Sequence, residues 1–64
     1  MKTRVEGTFE GWRGDTVVVL DNGQIWQQKQ YKYEYRYSYR PEVEVRSNVM
    51  YVEGMSPVQV IRLK

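Results

Sequence analysis

Val17–Val18–Val19–Leu20–Asp21–Asn22–Gly23–Gln24–Ile25–Trp26–Gln27–Gln28 reads as two short strands hinged on Asn22–Gly23. Val and Ile favour extended backbone, and Asn–Gly tolerates the positive φ that a tight type I′ turn requires. A two-residue turn sets Leu20 opposite Ile25 and Val19 opposite Trp26. Those apolar pairs fall on opposite faces. The strand is therefore expected to be buried on both sides, as in a long bent strand shared by two sheets of a small barrel.

Upstream, residues 4–12 alternate, with Val5, Gly7, Phe9 and Gly11 on one face and Arg4, Glu6, Thr8 and Glu10 on the other. The two glycines mark a bend or a close backbone approach. Arg13–Gly14–Asp15 reads as a turn. Downstream, Tyr31, Tyr33, Tyr35, Tyr37 and Tyr39 alternate with Lys32, Glu34, Arg36, Ser38 and Arg40. The same phase runs on through Pro41, Val43 and Val45. A straight strand over residues 31–46 would be about 50 Å long, whereas a domain of this size is about 25–30 Å across. A break is expected at Arg40–Pro41, with the early part a long loop passing into a strand, and a strand at residues 42–46.

Ser47–Asn48 is a second two-residue turn, setting Val45 opposite Met50 and Val43 opposite Val52. Gly54–Met55–Ser56–Pro57 turns the chain into a last strand at residues 58–63. No segment carries helical spacing, and alanine is absent. The expectation is an all-β fold of five or six short antiparallel strands without a substantial helix. A small SH3-like barrel closes such a set and hides its edges. One domain then spans residues 1–64, and the start at Met1 favours a free-standing protein.

Composition narrows the chemistry. The 64 residues include neither cysteine nor histidine, so disulfides and thiolate zinc sites are impossible and the commonest general base is missing. No loop gathers three acids for a cation, and Gly11–Trp12–Arg13–Gly14 is too short for a phosphate loop. Glu42 and Glu44, two apart on a strand, read as a solvated face rather than an acid–base pair. An enzyme is not expected, nor is a cofactor or a metal. The net charge of +2 permits an anionic partner without demanding one. Neither a signal peptide nor an apolar run of membrane-spanning length is present, so the expected setting is cytoplasmic, with no membrane partner.

The tyrosine ladder is the unusual feature. A chain with a single Phe needs large rings for its core, which favours tyrosines packed inward with hydroxyls at the rim. The competing reading is a stacking platform, in which aromatic faces hold bases while flanking cations hold phosphates. Its residues are Trp12, Lys29, Tyr31, Lys32, Tyr33, Tyr35, Arg36, Tyr37, Tyr39 and Arg40. Trp12 has the same two readings: packing over the hairpin, or facing a ligand beside Arg13. Trp26 is expected in the core. Gln24, Gln27, Gln28 and Gln30 are read as a solvated polar face.

Gly7–Thr8–Phe9–Glu10–Gly11–Trp12, followed by Leu20–Asp21–Asn22–Gly23–Gln24–Ile25–Trp26–Gln27–Gln28, resembles small bacterial domains of unknown function with an LDNGQxWxQ hairpin. The Tyr-x-Tyr-x-Tyr-Arg-Pro run looks like part of the same pattern. The resemblance implies a bacterial or environmental origin and an SH3-like barrel. It implies no activity and no functional residue.

The resulting expectation is a non-enzymatic binding module with an aromatic and basic surface. Single-stranded nucleic acid is the first named ligand, and a protein or proline-rich peptide is the rival. Glu34, Glu42 and Glu44 interrupt the basic residues, which weighs against nucleic acid. An alternative is a structural protein that assembles with copies of itself through the tyrosine strand. A third is a small enzyme whose site forms only between subunits.

Overall fold

A computed structural model describes residues 2–64. Eight strands run in chain order: β1 (Lys2–Arg4), β2 (Thr8–Arg13), β3 (Val17–Val19), β4 (Ile25–Gln28), β5 (Tyr33–Tyr39), β6 (Glu42–Arg46), β7 (Val49–Val52) and β8 (Val58–Arg62). Among the described residues there is no helix. Six strands form one antiparallel sheet in the order β1-β6-β7-β8-β4-β3. The sheet curls until its two edge strands meet through a Val5↔Leu20 bridge. Amide nitrogens of Glu6 and Asp21 donate to the carbonyls of Val19 and Arg4 across that seam, each at 2.9 Å. The architecture is all-β and compatible with a small SH3-like barrel.

β2 and β5 form a separate two-stranded ribbon. They continue the β1–β6 pair past a bend at Gly7 and Arg40, where Arg40 N donates to Gly7 O at 2.8 Å. Arg40, the residue before Pro41, takes a left-handed φ of 48°, and β5 ends at Tyr39. The expected break is therefore where the chain turns. The stretch before it is a correction, because residues 33–39 form the longest strand rather than a loop. Pairing with β2 supplies the backbone partners that a loop would lack.

Of the two expected two-residue turns, one forms and the other does not. Ser47 and Asn48 both take positive φ, 50° and 61°, and close the β6–β7 hairpin with Val43↔Val52 and Val45↔Met50 in register, as expected. Asn22–Gly23 does not form the two-residue turn. Leu20 N donates to Gln24 O and Gly23 N to Leu20 O, so residues 21–23 make a three-residue loop with only Gly23 at positive φ, 91°. That is the turn-plus-bulge hairpin. It moves the register by one and pairs Val18 with Trp26 and Val19 with Ile25. Val18 and Trp26 are buried together, while Val17 and Val19 are exposed. β3 is thus buried on one face only, contrary to expectation.

Twelve buried apolar side chains form the core, seven of them valines. Alternation supplies most of them: Val43 and Val45 from β6, Met50 and Val52 from β7, Val58 and Val60 from β8. Phe9 and Trp12 enter from β2 with their rings edge to face, centroids 5.2 Å apart. Strict alternation would set these two, three residues apart, on opposite faces. Gly11 resets the phase. It takes a φ of 107°, open to glycine at little cost, and the β2–β5 register shifts beside it.

Candidate functional site: the tyrosine face of the ribbon

The ribbon is built against the barrel by β2. Phe9 and Trp12 point inward, so the same face of β5 carries their cross-strand partners Ser38 and Glu34. The other face of β5 then carries the tyrosines. Tyr33, Tyr35, Tyr37 and Tyr39 are 61–72% exposed, and Tyr31, just ahead of the strand, is 80% exposed. No tyrosine belongs to the core. Reading the ladder as core is corrected: the valines and two tryptophans fill the interior, and the rings are left on the surface. At about 3.4 Å of rise per residue, rings on alternate positions repeat about every 6.8 Å.

Gly11 lies beneath this face, opposite Tyr35. A Cβ there would sit 2.1 Å from the Glu34 carbonyl oxygen and 2.9 Å from the Arg36 amide nitrogen. The absence of a side chain lets β5 lie close on β2. Gln28 fixes the approach to the ladder. It is 4% exposed; its Oε1 accepts from Gly14 N at 2.7 Å, and its Nε2 donates to the carbonyls of Gln30 and Lys32 at 2.9 and 2.8 Å. One amide ties the β2–β3 turn to the loop before β5, and the Tyr31 ring lies over Gly14, 3.2 Å from where a Cβ would stand. The expectation of a solvated polar face over Gln24, Gln27, Gln28 and Gln30 is corrected for Gln28, which is buried. Its place on the buried phase of β4, two residues after Trp26, was the available signal.

The basic residues are not gathered with the rings. Lys32 stands 3.9 Å from Glu34, and Arg40 is paired with Asp21. Arg36 lies on the opposite phase of β5 and lays its guanidinium over Gly54. Lys29 lines a shallow depression of about 230 Å³ with Ser47, Asn48 and Gln59, away from the ribbon. On the tyrosine side, Arg13 is opposite Tyr33 and holds Glu10 at 2.8 Å. The expected site is therefore corrected in two respects. Trp12 is wholly buried and offers a ligand nothing, because Gly11 turns it into the core. The cations sit largely off the aromatic face, because alternation sends the even-numbered residues the other way.

Beneath the ribbon, Trp12 Nε1 and Glu34 Oε1 are both buried without a hydrogen-bond partner, although they belong to one cross-strand pair. Elsewhere, Trp26 Nε1 donates to Gln24 Oε1 at 3.1 Å, and the Arg46 guanidinium lies 4.7 Å over the Tyr51 ring. Among the described residues no three acids cluster as metal ligands, and no helix is long and apolar enough to cross a membrane. Comparison with protein-family models, curated proteins and solved structures finds no match to this chain.

Proposed function

We propose that this chain is a non-enzymatic binding module whose contact surface is the tyrosine face of the β2–β5 ribbon. The observation that carries this reading is the exposure of Tyr31, Tyr33, Tyr35, Tyr37 and Tyr39, all at 61% or more, on a chain with ample other apolar residues for its core. A contiguous aromatic surface of this kind costs solubility, and exposed apolar patches mark contact sites. The ligand we assign is a single-stranded nucleic acid held by base stacking. Each stacked base is worth about 1–3 kcal/mol, and any base has a face to offer. The same proposal places the module in a bacterial cytoplasm, on the resemblance of its hairpin and its cysteine-free sequence.

The positions of the cations shape the expected behaviour. Arg13, the one cation opposite the ladder, is paired with Glu10, and the others are held by acids or turned away, so few phosphates can be neutralised. A single phosphate contact would give a plot of log K against log salt a slope of about −0.7. This favours a second reading as well: a protein segment, proline-rich or extended, laid on the rings without phosphate contacts. A ¹⁵N–¹H titration with a mixed-sequence single-stranded oligonucleotide separates the two. Saturable shifts on residues 31–39 and Arg13, weakening only modestly with added salt, support stacking. No shifts at low salt remove nucleic acid and leave the protein segment. Shifts confined to Lys29 and the depression beside it remove the ribbon as the contact surface.

A further inference from the structure

β5 has a strand partner on one side only. The Glu34 carbonyl and Arg36 amide are the groups that crowd Gly11, so even-numbered residues of β5 direct their backbone polar groups at β2. Alternation then turns the N–H and C=O groups of Tyr33, Tyr35 and Tyr37 toward the free edge. This edge is seven residues long and carries neither Pro nor Gly. Such an edge is a ready template for another strand.

From the open edge and its charges, we propose that β5 pairs antiparallel with β5 of a second copy, about a two-fold axis at Tyr35. The charge pattern selects that register. With the axis at Tyr35, Glu34 lies opposite the partner's Arg36, and this happens twice. Tyr33 then lies opposite the partner's Tyr37. With the axis at Arg36, two guanidinium groups oppose each other, which is destabilising. With the axis at Tyr37, Glu34 meets the partner's Arg40, a group already engaged by Asp21. Glu34 is only loosely paired within the chain: Lys32 is 3.9 Å from its buried Oε1, and the side chain is 33% exposed, which leaves the rest of the carboxylate open to the partner. Arg36 has no acid of its own among the ion pairs of the described residues. An acid and a base, each under-used within one chain and two apart on a free edge, complement their own copies.

The two ribbons become one four-stranded sheet, and tyrosines from both copies share a single face. The inference goes beyond the binding reading and does not need it, since no ligand enters the pairing. Residues 33–37 overlap in this register, so the interface is short and falls in the weak, transient class.

Sedimentation of the ligand-free chain over a series reaching about 1 mM tests it. The mass is expected to climb from one chain toward two, and R36E is expected to stay at one throughout. The chain has no cysteine, so single exposed substitutions report the register. Residues directly opposite across such a ladder lie about 5.5 Å apart at Cα, within disulfide reach. Y35C is expected to cross-link to itself on mild oxidation. Y37C is not, because its copies would sit four residues apart along the pair. A wild-type chain that stays single across the series overturns the proposal. So does association that survives R36E, or cross-linking by Y37C as fast as by Y35C. None of these outcomes bears on oligonucleotide binding, so the two readings fail separately.

Discussion

The ribbon and the curled sheet are both alternating β structure, yet they resolve alternation in opposite ways. In β6, β7 and β8 the apolar phase is inside: Val43, Val45, Met50, Val52, Val58 and Val60 are buried. In β5 the large apolar phase is outside, and the half-buried Glu34 and Ser38 face the barrel. The ribbon reaches the core through β2, by Phe9 and Trp12. Alternation thus says that a strand has two faces, and its pairing decides which one is covered. A surface that holds bulky rings out of the core, at the cost of exposing them, is suited to contact rather than stability.

That contrast can be broken at the joint between the two strands. Gly11→Ala is expected to have the largest effect, because the new Cβ meets the Glu34 carbonyl oxygen at 2.1 Å in a backbone with φ of 107°. Strain and overpacking together are expected to cost about 3–5 kcal/mol in urea unfolding. In hydrogen exchange, β2 and β5 should lose protection before β6, β7 and β8. A loss below about 1 kcal/mol would mean that the close approach is not holding the ribbon.

Gln28→Leu comes next. It leaves Gly14 N and the carbonyls of Gln30 and Lys32 without their partner, at about 1–3 kcal/mol for each group that water does not reach. A loss of about 2 kcal/mol is expected, with the largest chemical-shift changes at residues 13–16 and 29–32. Changes confined to β4 would show that the amide does not tie the ladder to the barrel. The smallest effect belongs to the rings. Tyr35→Thr keeps a strand-forming residue on an exposed face. It is expected to move stability by no more than about 0.5 kcal/mol.

Much of the fold was legible because each element carried local chemistry. The Val43–Val52 register followed from Ser47–Asn48 and the spacing of the valines. The break at Arg40 followed from the length of the tyrosine run and the proline after it. The first hairpin departs by one residue from the register expected of it, because Asn–Gly also suits a three-residue loop with Gly23 alone at positive φ. Backbone links from Asp21 to Arg4 and from Glu6 to Val19 tie that hairpin to the edge of β1, and these links are not local in sequence.

The candidate site was legible as a list of residues but not as a surface. The tyrosines were picked out, yet their side was hidden, since it depends on Phe9 and Trp12 of another strand. Trp12, open in the sequence to packing or to facing a ligand, is buried because a glycine one residue earlier changes the phase. The cations looked adjacent in sequence and are separated by alternation. Gln28 carried no composition signal, because burial rather than residue type makes it matter.

The central claim is that the tyrosine face is a contact surface and not part of what holds the chain together. Its most direct test is a single comparison: the oligonucleotide titration run in parallel on the wild-type chain and on a Tyr33→Thr, Tyr35→Thr double variant. The expected result is a variant that keeps the wild-type pattern of valine and tryptophan resonances but binds more weakly, by about 1–3 kcal/mol for each stacked base lost. A variant that unfolds, or one that stays folded and binds as well as the wild type, would contradict the account.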